Sequence, residues 1–188
     1  MSEPVLLHLL RHGAPVLAGT LLGRTDSAVT PEGLVECMAQ AAGLDVAAVV
    51  SSDLARASAC AAAIADRMGL AATIDPRWRE LDFGAWDGRA PAAVDPAALA
   101  RFWDDPDANP PPQGERWSHL TARVATACAD ITQPTLVVTH AGAMRAALTI
   151  LCGFEQRQTW AVDLPYAALL SLRVWREPAA AQIVGLWT

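Results

Sequence analysis

Val5-Leu6-Leu7-His8-Leu9-Leu10-Arg11-His12-Gly13 is the stretch from which the rest of the chain can be read. The apolar run over residues 5–10, bounded by Pro4 and Gly13, has the length and composition of a strand buried on both faces. It ends in two cationic or hydrogen-bonding side chains and a glycine. The same order of strand, polar cluster and helix recurs twice. Residues 46–50 form an apolar run that leads into Ser51-Ser52-Asp53-Leu54-Ala55-Arg56, with Ser52 or Asp53 as the cap of a helix ending near Gly69. Residues 135–139 lead into His140-Ala141-Gly142 and a helix to about Leu151.

The remaining segments fit between these three. Thr30 followed by Pro31 reads as an N-cap with proline at the first helical position, opening a helix to about Ala42. Residues 71–74 make a short strand and residues 115–131 a helix. Residues 167–175 and 181–187 read as two strands joined by a turn at Glu177-Pro178, most simply antiparallel. The alternation predicts an α/β fold, a three-layer α/β/α sandwich whose central sheet is mainly parallel with an antiparallel C-terminal strand pair. Residues 76–114 break the rhythm: they hold more than half of the thirteen prolines together with Trp78, Trp86 and Trp103. We expect a loop and short-helix excursion near the site, within a single domain spanning 1–188. Its last part, 104–114 with Pro110-Pro111-Pro112, is expected to be an exposed connection.

A chain of 188 residues suits one domain. A net charge of −6 argues against general nucleic-acid or anionic-membrane partners. Cys37, Cys60, Cys128 and Cys152 show no C-x-x-C spacing and sit in apolar contexts, which predicts reduced core thiols rather than a disulfide framework or zinc site. Met1-Ser2-Glu3-Pro4 lacks the start of a signal peptide, and no apolar run approaches the ~18 residues of a membrane span, so the expected location is the cytoplasm.

Ligands of open α/β sheets bind beyond the carboxyl ends of the strands, where all three polar clusters fall. Arg11 and Arg56 offer planar forks for bidentate capture of oxyanions. His12 and His140 can serve as nucleophile, acid, base or donor. The helices after Ser52 and His140 would point free N–H groups at the same place. Together these features specify an anion site, and a phosphoryl group is the expected anion. Singly they say less. A lone histidine is usually structural, Arg56 alone is a helix surface charge, and Glu80 alone is a solvated carboxylate with Glu32, Glu36, Glu115, Asp82 and Asp87 as competitors. His8 alternates inward along its strand and His119 lies in a polar helix, so neither receives a role. Most of the seven tryptophans are expected to pack the core.

Leu10-Arg11-His12-Gly13 resembles the R-H-G signature of the histidine phosphatases, the superfamily that includes the cofactor-dependent phosphoglycerate mutases. Four further segments fit in order: Gly23-Arg24-Thr25-Asp26 with 29–33, Ser51-Ser52-Asp53-Leu54-Ala55-Arg56-Ala57, the acid-bearing stretch Arg79-Glu80-Leu81-Asp82-Phe83-Gly84 running on to Gly88, and Thr139-His140-Ala141-Gly142. The resemblance implies a phosphoglycerate mutase-like fold and a hydrolase that needs no cofactor and no metal. In it His12 attacks phosphorus, and Arg11, Arg56, His140 and Ala141 hold the phosphoryl oxygens. Glu80 protonates the leaving oxygen and then activates water, a task that a dry pocket walled by Trp78, Phe83 and Trp86 would favour. The implied partners are a small phosphomonoester and inorganic phosphate as product. Relatives commonly follow R-H-G with Glu or Gln and then Asn; Ala14-Pro15-Val16-Leu17 stands there instead, with Arg24 as a possible substitute.

Within the family the short middle resembles monofunctional phosphatases more than mutases. Residues 99–103 and Pro111-Pro112-Gln113-Gly114-Glu115 are most similar to the bacterial α-ribazole phosphatases, which act late in cobalamin assembly. That resemblance implies Glu115 on the substrate side and Trp78, Trp103 or Trp117 as a stacking surface. A mutase-type phosphotransferase and a catalytically inactive phospho-ligand binder are the alternatives.

Overall fold

The computed structural model describes residues 3–177 and 179–188. Met1, Ser2 and Pro178, the second residue of the expected Glu177-Pro178 turn, lie outside the described residues. In chain order the elements are β1 (Val5–Arg11), α1 (Pro31–Gln40), β2 (Ala48–Ser51), α2 (Ala55–Met68), β3 (Ala72–Ile74), α3 (Pro96–Asp104), α4 (Trp117–Ala129), β4 (Thr135–Thr139), α5 (Ala141–Cys152), β5 (Leu169–Arg176) and β6 (Ala179–Trp187). The described strands form one sheet in the order β3-β2-β4-β1-β5-β6. β3, β2, β4 and β1 are parallel, whereas β5 runs antiparallel to β1 and β6 antiparallel to β5. The expected α/β sandwich with its mainly parallel sheet is therefore the fold.

Period-two alternation divides the strands between two cores. Leu7, Leu9 and Val137 pack on one face against Leu120 and Val124 of α4 and Met144 and Leu148 of α5. Leu10, Leu136, Val138 and Val49 pack on the other against Cys37 of α1 and Cys60 and Ile64 of α2. His8 points to a neighbouring strand, where its Nδ1 lies 2.6 Å from Ser171 Oγ. The four cysteines are free thiols. Among the described residues no helix is long and apolar enough to cross a membrane.

Two local expectations change. The α2 N-terminus is capped by neither Ser52 nor Asp53. Leu54 occupies the cap position, and Asp26, distant in sequence, accepts from Ala55 N at 2.8 Å, while Asp53 pairs with Arg79. The stretch 104–114 is not simply an exposed connection. Pro111 is buried, and Pro112 O and Glu115 N bond to Ala85 N and Asp82 O at 2.8 and 2.9 Å, docking the stretch on the acid-bearing segment. A 3-10 turn at Gln156–Ala161 adds an element to those expected, and the reciprocal Glu155–Gln158 capping box at its start is a signal legible in the sequence.

Candidate active site

His12 sits one residue past β1, its N–H donating to Thr139 O at 2.9 Å and its carbonyl accepting from Ala167 N at 3.2 Å. The site is thus stitched between β4 and the entry to β5. Gly13 allows this packing, because the Gly33 carbonyl occupies the place a Cβ would take. His12 Nδ1 lies 2.7 Å from Gly13 O. A carbonyl only accepts, so the ring proton is on Nδ1 and the lone pair is on Nε2. The side chain is 4% exposed. Burial, helped by the charges of Arg56 and Arg11, pushes its pKa down to about 3, against the opposing effect of the Gly13 hydrogen bond.

That neutrality carries a pH signature. The unfolded chain takes up a proton near pH 6.5 and the folded chain does not, so stability is lost as pH falls from about 6.5 towards about 3. Once fully developed, this one group costs about 1.4 kcal/mol per pH unit. The thermal midpoint of a His12→Gln variant should therefore fall less between about pH 6.5 and about pH 4.5 than that of the native protein. Parallel curves would mean that His12 is not held neutral.

His140 is fully buried, with its ring centre 5.0 Å from that of His12. Its Nε2 lies 2.7 Å from Ser52 Oγ, and its Nδ1 has no partner among the described residues. Burial, then the nearby His12 ring and the Arg56 and Arg11 charges, lowers its pKa well below the usual histidine range. Arg56 is also fully buried. Its guanidinium donates to Leu22 O, Gly23 O and Thr25 O at 2.8, 3.0 and 3.0 Å, and its Nε has no partner among the described residues. Arg56 therefore stands behind the cavity wall, bracing the 22–25 loop while its charge acts on both histidines. Arg11 lies on the wall itself. It donates to Leu164 O at 2.6 Å and stacks over Tyr166, 4.1 Å from the ring centre. Ala167, left-handed at φ 58°, turns the backbone immediately after Tyr166.

Glu80 reaches the N-terminus of α5. Its Oε2 accepts from Gly142 N at 3.1 Å and its Oε1 from Leu81 N at 2.8 Å. A Cβ on residue 142 would overlap the Glu80 carboxylate. A Gly142→Ala change should displace that carboxylate, lowering kcat by about 10–100-fold with little change in unfolding temperature. Native kcat in this variant would show that the Glu80 position does not matter. Behind Glu80, Arg123 donates to the carbonyls of Arg77, Arg79 and Glu80 at 2.7, 2.8 and 2.9 Å. Sequence reasoning gave Arg123 no role.

Arg11, His12, Glu80, Ala141 and Gly142 line one cavity of about 270 Å³. Its far wall is apolar: Leu21, Phe83, Phe102, Trp103 and Trp160. Thr20 and Pro15 also line it, in the loop where the expected amide and acidic residues are missing. Trp103 and Trp117 line the cavity. Trp78 is fully buried in the core, and Trp86 packs edge-on against Phe102, so of the expected dry walls only Phe83 reaches the cavity. Arg24 and Glu115 do not line it. Arg24 pairs with Asp82 at 2.5 Å. Glu115 is held by Arg123, both contacts at 2.8 Å, and accepts from Asp82 N, so its expected substrate-side position is corrected to a structural one. Arg145 and Tyr166 line the cavity without having been anticipated.

The profile of the histidine phosphatase superfamily (branch 1) matches residues 7–184. The glucosyl-3-phosphoglycerate phosphatase of Mycolicibacterium vanbaalenii is 34% identical over 167 residues, covering 78% of this chain and 74% of its own. The mycobacterial glucosyl-3-phosphoglycerate phosphatase in complex with VO3 superposes with a TM-score of 0.87 at 25% identity, covering 98% of this chain and 99% of its own. The α-ribazole phosphatase of Shigella flexneri shares the fold, with a TM-score of 0.84 at 21% identity and 98% and 96% coverage.

Proposed function

The chain belongs to the histidine phosphatase superfamily and is a phosphomonoesterase of it, and we propose that it works through a phosphohistidine on His12, without a metal, on a small organic phosphate. The observation that carries this reading is the Nδ1 contact to Gly13 O, which presents the Nε2 lone pair for attack. Nε2 forms a bond to phosphorus as the bond from phosphorus to the leaving oxygen breaks. Glu80, holding a proton, gives it to that oxygen. Water then loses a proton to Glu80 and attacks phosphorus, and the P–N electron pair returns to Nε2. Arg11 and the Ala141 N–H at the start of α5 offer donors to the equatorial oxygens from the cavity wall, with Arg56 and the buried His140 Nδ1 standing behind it.

The aromatic far wall suits a leaving group with a ring or apolar body. α-Ribazole 5′-phosphate, which carries a flat base, is one such compound. The test is phosphate release, with chelator present, from para-nitrophenyl phosphate, 3-phosphoglycerate, glycerol 3-phosphate, sugar phosphates and α-ribazole 5′-phosphate. Release with one compound preferred is the expected result. Transfer between positions of phosphoglycerate without release would make it a mutase, and binding without turnover would make it an inactive binder.

A further inference from the structure

The first charged side chain beyond the reacting centre is Arg145, one helical turn after Ala141 on α5 and on the same cavity wall. It is 8% exposed. Its guanidinium lies flat on Trp160, 4.1 Å from the ring centre, which fixes its plane. Among the described residues only Nη2 has a partner, a long 3.4 Å contact to Val162 O, and Nε and Nη1 are buried with none. Among the described residues Arg145 makes no ion pair. The charged groups around it are Arg11, Glu80 and Asp163. A buried guanidinium edge with two unused donors is costly unless something occupies it in the working state. Its planar fork matches a carboxylate or a second phosphoryl group.

We propose that Arg145 is a specificity residue that binds a second anionic group on the substrate, so that the substrate is a phosphomonoester with a carboxylate or second phosphate on its leaving group. Its position on α5, a turn away from the phosphoryl-binding N-terminus of that helix, puts the two anions a few bonds apart in one small molecule. Trp160 holds the fork in place from the solvent side. The inference rests on the phosphatase reading above.

3-Phosphoglycerate and glycerol 3-phosphate make a size-matched pair that differs in one carboxylate. The native enzyme should turn over the acid with kcat/KM about 10–100-fold above the alcohol. In Arg145→Gln that ratio should collapse towards one, chiefly through KM for the acid, and Arg145→Lys should recover part of it. Unfolding temperatures of both variants separate loss of the fork from loss of the fold. A native enzyme that treats the pair equally, or that prefers α-ribazole 5′-phosphate to every acid-bearing substrate, overturns the proposal. If para-nitrophenyl phosphate is also not hydrolysed by the native protein, the phosphatase reading itself has failed.

Discussion

Replacing His12 by glutamine should lower phosphate release from para-nitrophenyl phosphate by at least about a thousandfold, because the step that forms the covalent intermediate loses its nucleophile. Glutamine is close in size to histidine and is uncharged, like the native imidazole, whose Nδ1 lies 2.7 Å from Gly13 O. The surrounding packing therefore has little reason to rearrange, and the loss reports chemistry. A second readout makes the result specific. Native enzyme quenched during turnover should carry acid-labile phosphate that survives alkali, as a phosphorus–nitrogen bond does, and the variant should carry none. Residual activity within about tenfold of native would remove His12 from the mechanism.

Removing Glu115 by a change to alanine should act on a different quantity. Glu115 and Arg123 are 12% and 22% exposed in their side chains and meet through two contacts of 2.8 Å. Breaking a mostly buried pair from one side leaves the other charge uncompensated, at a cost of about 2–3 kcal/mol after allowing for the solvent that still reaches it. For a chain of this length that lowers the unfolding temperature by about 5–10 °C. Arg123 also fixes the carbonyls of Arg77, Arg79 and Glu80, so kcat should fall for every substrate without reordering their preference. A variant of native stability with altered preference would return Glu115 to the substrate side.

These two residues show what the sequence discloses and what it withholds. His12 is legible because its neighbours in the chain, an apolar strand and a glycine, determine its place. The same holds for His140, whose strand and helix are contiguous with it. Glu80 is legible only through its motif. Glu115 was misread because its partner Arg123, two turns along α4, is a positive charge in a helix that reads as amphipathic; nothing local says that it turns inward onto three carbonyls. Arg145 is hidden in the same way inside an apolar helix, and its stacking partner Trp160 lies in a turn with no periodicity. Helix capping by Asp26 across 29 positions is beyond any local rule. Pairings made by long-range packing leave no spacing to read, whereas strand-end residues do.

The sheet order has a bearing on how the protein is made. β1 is made before every other described strand, yet its neighbours are β4 and β5, both late in the described chain. β4 must slide between β1 and β2, which do not touch each other. Until residue 135 has left the ribosome, the apolar segment 5–10 has no edge to pair with, and any product ending earlier carries it unpaired. Closing that gap requires contacts about 130 residues apart, the slow kind of step in chain collapse. The newborn chain is thus most prone to aggregate in the interval before its central strand arrives, and a holding chaperone would find its strongest ligand in residues 5–10.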